Sequence, residues 1–107
     1  MPRENVFQGK LIREIRSMFP GAIILKIDPN YLQGFPDRLI LNGNRWAAFD
    51  AKASEDAPHQ VNQDYYIDLL YSMSYAAFIY PENKDEVLRE LRTALRPGRP
   101  ARILGRQ

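Results

Sequence analysis

Asp50 and Lys52 are separated by a single residue at the end of Trp46–Ala51, a run with the composition of a β-strand. Strand side chains alternate between faces, so both project from the same side of a sheet. Upstream, Asp37 precedes a second apolar run, Arg38–Leu41, and Asn42-Gly43-Asn44 lies between the two runs as a hairpin turn would. With Gly43-Asn44 as a two-residue turn, Asn42 pairs with Arg45, and counting back sets Asp37 directly opposite Asp50. Facing carboxylates repel. A divalent cation held by oxygen ligands from both would neutralise them, with Lys52 offsetting part of the charge. A slip of one residue in the turn would undo this register, and the same residues would then be ordinary surface charges on a hairpin.

The rest of the inventory narrows the chemistry. The chain has 107 residues, the size of one domain with one core. It contains no cysteine, which excludes disulfides, thiolate nucleophiles and thiolate metal sites. His59 is the one histidine, too few for a three-histidine zinc site. Hydrophobic residues at 45% and charged residues at 26% describe an ordinary globular chain. No apolar run is long enough to cross a bilayer, and the polar N-terminus lacks the apolar core of a secretion signal. The expectation is an intracellular protein without a membrane partner.

The elements that must position these residues follow from periodicity. Phe7, Leu11, Ile12, Ile15 and Met18 fall at helical spacing between Glu4 and Phe19, and Pro20-Gly21 ends the pattern. Ala22–Ile27 is a short β-branched run of strand length, closed by the turn signal Asp28-Pro29-Asn30. After the hairpin, Val61, Tyr65, Tyr66, Leu69, Leu70 and Met73 are read as one stripe of a second helix. Tyr75–Tyr80 reads as a last strand ending at Pro81, and Val87, Leu88, Leu91 and Leu95 mark a last helix between Lys84 and Leu95. The order helix, three strands, helix, strand, helix predicts an α/β fold. Its last strand returns through a crossover to lie parallel to a neighbour in a mixed sheet.

Gly34-Phe35-Pro36-Asp37, a hairpin, and then Asp50-Ala51-Lys52 resemble the motif of the PD-(D/E)XK nucleases, including its preceding glycine. Gln63 at the start of the second helix narrows the resemblance to the VRR-NUC group and its small phage-encoded, Holliday-junction-resolvase-like members. The resemblance runs from about Glu4 to Leu91. It implies a restriction-endonuclease-like core in the order α-β-β-β-α-β-α and a metal-dependent endonuclease acting on branched or structured DNA. It further implies that Asp37, Asp50 and the backbone carbonyl of Ala51 bind Mg²⁺ or Mn²⁺, and that Lys52 activates water or steadies the transition state. Gln63 matches a helix glutamine that contacts the lysine or the scissile phosphate, and equally suits a polar residue in a first helical turn. An acid of the first helix often completes the metal shell in such enzymes. Glu4 is the position that carries over, ahead of Glu14, although an acid there also suits the helix dipole. Asp50 departs from the glutamate more usual in the group. The location implied is cytoplasmic, or host cytoplasm for a phage-encoded protein.

Other residues invite weaker readings. Lys26 in the first strand could reach a phosphate from the same sheet face, or be a solvated edge residue. His59 could contact DNA from a loop. Trp46, Tyr65, Tyr66, Tyr75 and Phe78 suit a core or a subunit interface better than base stacking. After Glu90 the chain carries Arg92, Arg96, Arg99, Arg102 and Arg106 with no acid among them. Residues 1–95 are therefore expected to form the nuclease domain and residues 96–107 a basic tail. In that tail Arg96, Arg99 and Arg102 would meet DNA phosphates, or simply keep the terminus solvated. A domain this small suggests a homodimer for paired cuts. The alternatives are a monomeric nickase or flap nuclease, and a non-catalytic nucleic-acid-binding module.

Overall fold

Helix α1, Arg3–Met18, buries Leu11 and Ile15 and is followed by Phe19, also buried. The computed structural model describes residues 3–97, with side chains from Asn5 onward. Four strands follow from the runs expected: β1, Ile23–Lys26; β2, Arg38–Asn42; β3, Arg45–Ala51; and β4, Tyr75–Ile79. Helix α2, Gln63–Met73, connects β3 to β4, and α3, Lys84–Ala94, closes the order α-β-β-β-α-β-α. The fold is α/β, with a four-stranded mixed sheet in the spatial order β1-β2-β3-β4.

β1, β2 and β3 are antiparallel neighbours, and β4 lies parallel to β3. A parallel neighbour requires a crossover, which α2 supplies. The hairpin has the register derived from its turn: Asn42 pairs with Arg45, Ile40 with Ala47 and Arg38 with Phe49. Gly43 takes φ 63°, a backbone shape that glycine adopts without steric cost.

The alternation of side chains sorts the sheet into two faces. Ile40, Ala47, Phe49, Ala51 and Ile79 pack against α1 and α3 in the larger core, which includes Leu11, Ile15, Leu91 and Leu95. Ala48 and Ala76 pack on the other face against Ile67 and Leu70 of α2, with Phe35, Leu39, Trp46 and Phe78 at the margin. β3 is the central strand with helices on both faces, and all of its residues from Ala47 onward are buried. That position explains the small Ala47-Ala48 pair and makes the charge of Asp50 conspicuous.

The stripe read for α2 needs correcting. Val61 precedes the helix, and Val61, Tyr65 and Met73 are exposed; the buried positions are Gln63, Ile67 and Leu70. The buried face thus opens on a polar residue, and periodicity of apolar residues alone rotated the helix away from its true seat. The aromatics divide as well. Tyr75 is buried, Trp46, Tyr66 and Phe78 are half-buried, and Tyr65 faces outward.

Candidate active site

β2 and β3 bring the two aspartates together. The ladder ends at Arg38 and Phe49, and continuing its register one step past β2 sets Asp37 opposite Asp50. The Asp37 carbonyl accepts from the Ile27 N–H at 2.8 Å, so its backbone turns toward β1 and away from β3. This makes Asp37 and Asp50 a non-hydrogen-bonded pair, the type in which facing side chains approach more closely.

Gly34 and Pro36 hold the approach to Asp37. Gly34 has φ 88°, and a Cβ there would meet the Asn62 Cβ at 2.5 Å and the Val61 carbonyl oxygen at 2.6 Å. Only glycine lets this loop lie against the start of α2. Asn62 in turn takes a left-handed conformation, φ 73°, immediately before Gln63. Pro36 is fully buried beside Asp37. The two segments that carry Asp37 and Gln63 are therefore locked to each other.

Gln63 is the hub of the α2 side. Its Oε1 accepts from Lys52 Nζ at 2.8 Å and from the Gln60 N–H at 2.8 Å, while its Nε2 donates to Asp50 Oδ2 at 3.1 Å. Lys52 also reaches the Pro58 carbonyl at 3.4 Å and lies 5.9 Å from the centre of the Phe78 ring. Asp50, Lys52 and Gln63 are all buried. Among the described residues no carboxylate lies within ion-pair distance of Lys52, and the Gln63 amide bridges it to Asp50 by hydrogen bonds.

Burial first, and the facing Asp37 second, push the Asp50 carboxyl up to about 7 from an ordinary 3.8, with Lys52 pulling it down. This is the behaviour of two acids competing to stay charged in one small space. Asp37 Oδ1 is buried with no hydrogen-bond partner among the described residues. An orphaned carboxylate oxygen facing a second carboxylate fits a hard divalent cation, which such an oxygen binds directly. Mg²⁺ needs only one or two carboxylates, because water and phosphate oxygens complete its octahedron. Among the described residues no cluster of three or more metal-binding side chains forms.

The Ala51 carbonyl turns away from β4. The Lys52 N–H donates to the Ile79 carbonyl on β4 at 2.8 Å. In a trans peptide the preceding C=O points the opposite way, here toward the side of β2. By continuation of the register that position is opposite Pro36, which has no N–H to offer.

Other expected residues lie elsewhere. Lys26 pairs with Arg38 and so occupies the face opposite Asp37 and Asp50; the same-face reading of Lys26 is corrected by the register. Glu14 binds Lys84 at 3.0 Å, and its carboxylate is thereby tied to α3. The Glu4 side chain and residues Arg99, Arg102 and Arg106 lie outside the described residues, and Arg96 is exposed just past α3. His59 stacks on Phe78 with ring centres 4.0 Å apart and pairs with Asp64 at 2.7 Å. Sequence reasoning missed Gln8, which donates to Asp37 Oδ2 at 3.4 Å and accepts from Arg38 Nη2 at 3.0 Å. The chain matches no family model, no curated protein and no solved structure.

Proposed function

We propose that this protein is a metal-dependent DNA endonuclease that hydrolyses phosphodiester bonds, with branched or structured DNA as its substrate. The observation that carries the reading is buried Asp50 facing half-buried Asp37, with buried Lys52 tethered beside them through Gln63. Burying charges without a direct opposite partner is costly, and groups so perturbed concentrate at sites of chemistry.

Asp37, Asp50 and the Ala51 carbonyl would hold Mg²⁺ or Mn²⁺. Such an ion supplies Lewis-acid polarisation of a phosphate oxygen and acidifies water for in-line attack. Lys52 has three donors, of which Gln63 and Pro58 take two, leaving one for a non-bridging phosphate oxygen. Its charge then opposes the negative charge that develops as the bond breaks. Gln63 keeps the lysine aimed and holds the outer oxygen of Asp50.

A binding module without catalysis is the poorer account, because facing carboxylates repel a phosphate backbone unless a cation lies between them. Paired cuts in two strands would require two copies, and α2 exposes Tyr65, Tyr71 and Met73 outside the site. Light scattering at tens of micromolar, with and without DNA, distinguishes a homodimer from a monomeric nickase.

The substrate is tested by incubating the protein with four-way junction, flap and linear duplex DNA in Mg²⁺, Mn²⁺ or chelator and mapping the products. Cleavage of the branched substrates only with metal is expected. Equal cutting of all three shapes would remove the branched-DNA preference, and no cutting with either metal would overturn the reading.

A further inference from the structure

The two aspartates are held in the same manner from opposite sides. On the α2 side the sequence of contacts is Lys52 Nζ to Gln63 Oε1, then Gln63 Nε2 to Asp50 Oδ2. On the α1 side it is Arg38 Nη2 to Gln8 Oε1, then Gln8 Nε2 to Asp37 Oδ2. A guanidinium only donates and a carboxylate only accepts, so these neighbours dictate which end of the Gln8 amide faces which. Each glutamine also lies near the start of its helix, Gln63 buried one turn before Ile67 and Gln8 half-buried one turn before half-buried Ile12.

We propose that Gln8 is a positioning residue for Asp37. Its amide engages Oδ2 and so presents the other, unpartnered oxygen Oδ1 to the divalent ion, while Arg38 fixes the amide in the donating orientation. The inference rests on the nuclease reading for the purpose of the ion, and on geometry for the contact. Arg38 lies on the sheet face turned away from the site, and the hydrogen bonds that join it to Asp37 run through Gln8. Without the amide, Asp37 could rotate about its side-chain bonds and its ligand oxygen would be less often in place. Neighbours that orient a ligand in this way typically govern about ten- to a hundredfold of metal affinity. At 3.4 Å the Gln8 contact belongs at the lower end of that range.

The test is Mn²⁺ binding by calorimetry to the wild-type protein, Gln8→Ala, Arg38→Ala and the double variant, with the thermal midpoint of each metal-free protein measured alongside. Gln8→Met, which keeps the side-chain length without the amide, serves if the alanine variant folds poorly. The expected result is roughly tenfold weaker Mn²⁺ binding for Gln8→Ala or Gln8→Met. Arg38→Ala should weaken binding in the same direction, and the two losses should not add. A purely structural contribution would lower the thermal midpoint and leave the ion affinity of the folded protein unchanged. Unchanged Mn²⁺ affinity in both Gln8 variants overturns the proposal while a cleaving wild type keeps the nuclease reading. A wild-type protein that neither binds Mn²⁺ nor cuts DNA overturns both.

Discussion

Gly34 and Asn62 approach so closely that a methyl group on the glycine would lie 2.5 Å from the Asn62 Cβ, and this contact joins the Asp37 loop to the helix that carries Gln63. Gly34→Ala has two penalties, an L-residue at φ 88° and a steric overlap with backbone that cannot step aside. Together they should cost about 2–4 kcal/mol. Urea denaturation checks this, and an unchanged midpoint would mean that the loop and the helix are not locked together. Cleavage should fall as well, because Asp37 and Gln63 are positioned by the same contact.

Asp50 makes the metal-free protein sensitive to pH in an unusual direction. Its carboxyl is held up to about 7, whereas the unfolded chain releases that proton near 3.8. Between these values the folded protein binds one more proton than the unfolded chain, so stability falls as pH rises, by at most roughly 1.4 kcal/mol per unit. The contribution is fully present at low pH and is lost as pH passes through about 7. Thermal melts in chelator from pH 5 to pH 8 should show this decline, and Asp50→Asn should flatten it and be the more stable protein at pH 8. Identical pH profiles for the two proteins would remove Asp50 as its source.

Lys52→Ala should lower turnover by about a hundredfold or more, as loss of a charge aimed at the transition state does. DNA affinity should change little, since phosphates bound elsewhere set it. Single-turnover cleavage with a parallel binding curve separates the two effects. A variant that cuts at the wild-type rate would take Lys52 out of the chemistry.

Truncation after Leu95 removes Arg96, Arg99, Arg102 and Arg106 and leaves the Leu95 carbonyl bound to Asn42. Each phosphate contact adds about 0.9 to the slope of log affinity against log salt. The truncated protein should show a flatter slope and weaker binding to DNA of every shape, with its cut positions unchanged. A full slope in the truncated protein would count against the tail as a clamp.

Much of this was legible in the residues. Gly43-Asn44 set the hairpin register, and that register alone put Asp37 opposite Asp50. The order of elements followed from apolar periodicity and from Pro-Gly punctuation. Periodicity failed where a buried helix face opened on a polar residue. Gln63 heads the Ile67–Leu70 face, and counting only apolar positions turned α2 toward Val61 and Tyr65, both exposed. Gln8 escaped notice because it is a half-buried polar residue on the margin of the Phe7, Leu11 and Ile15 face, and its spacing to Ile12 was the available signal. Lys26 failed by parity, because pairing with Arg38 fixes its face and β1 register could not be counted from a turn.

Mg²⁺-dependent cleavage of a four-way junction by the wild-type protein and by Asp50→Asn tests the central claim most directly. The wild type should cut only with metal present, and its apparent Mg²⁺ affinity should rise with pH as Asp50 gives up its proton. Asp50→Asn should bind the junction and leave it uncut at every Mg²⁺ concentration. Cleavage by Asp50→Asn at the wild-type rate, or wild-type cleavage that persists in chelator, would contradict the account.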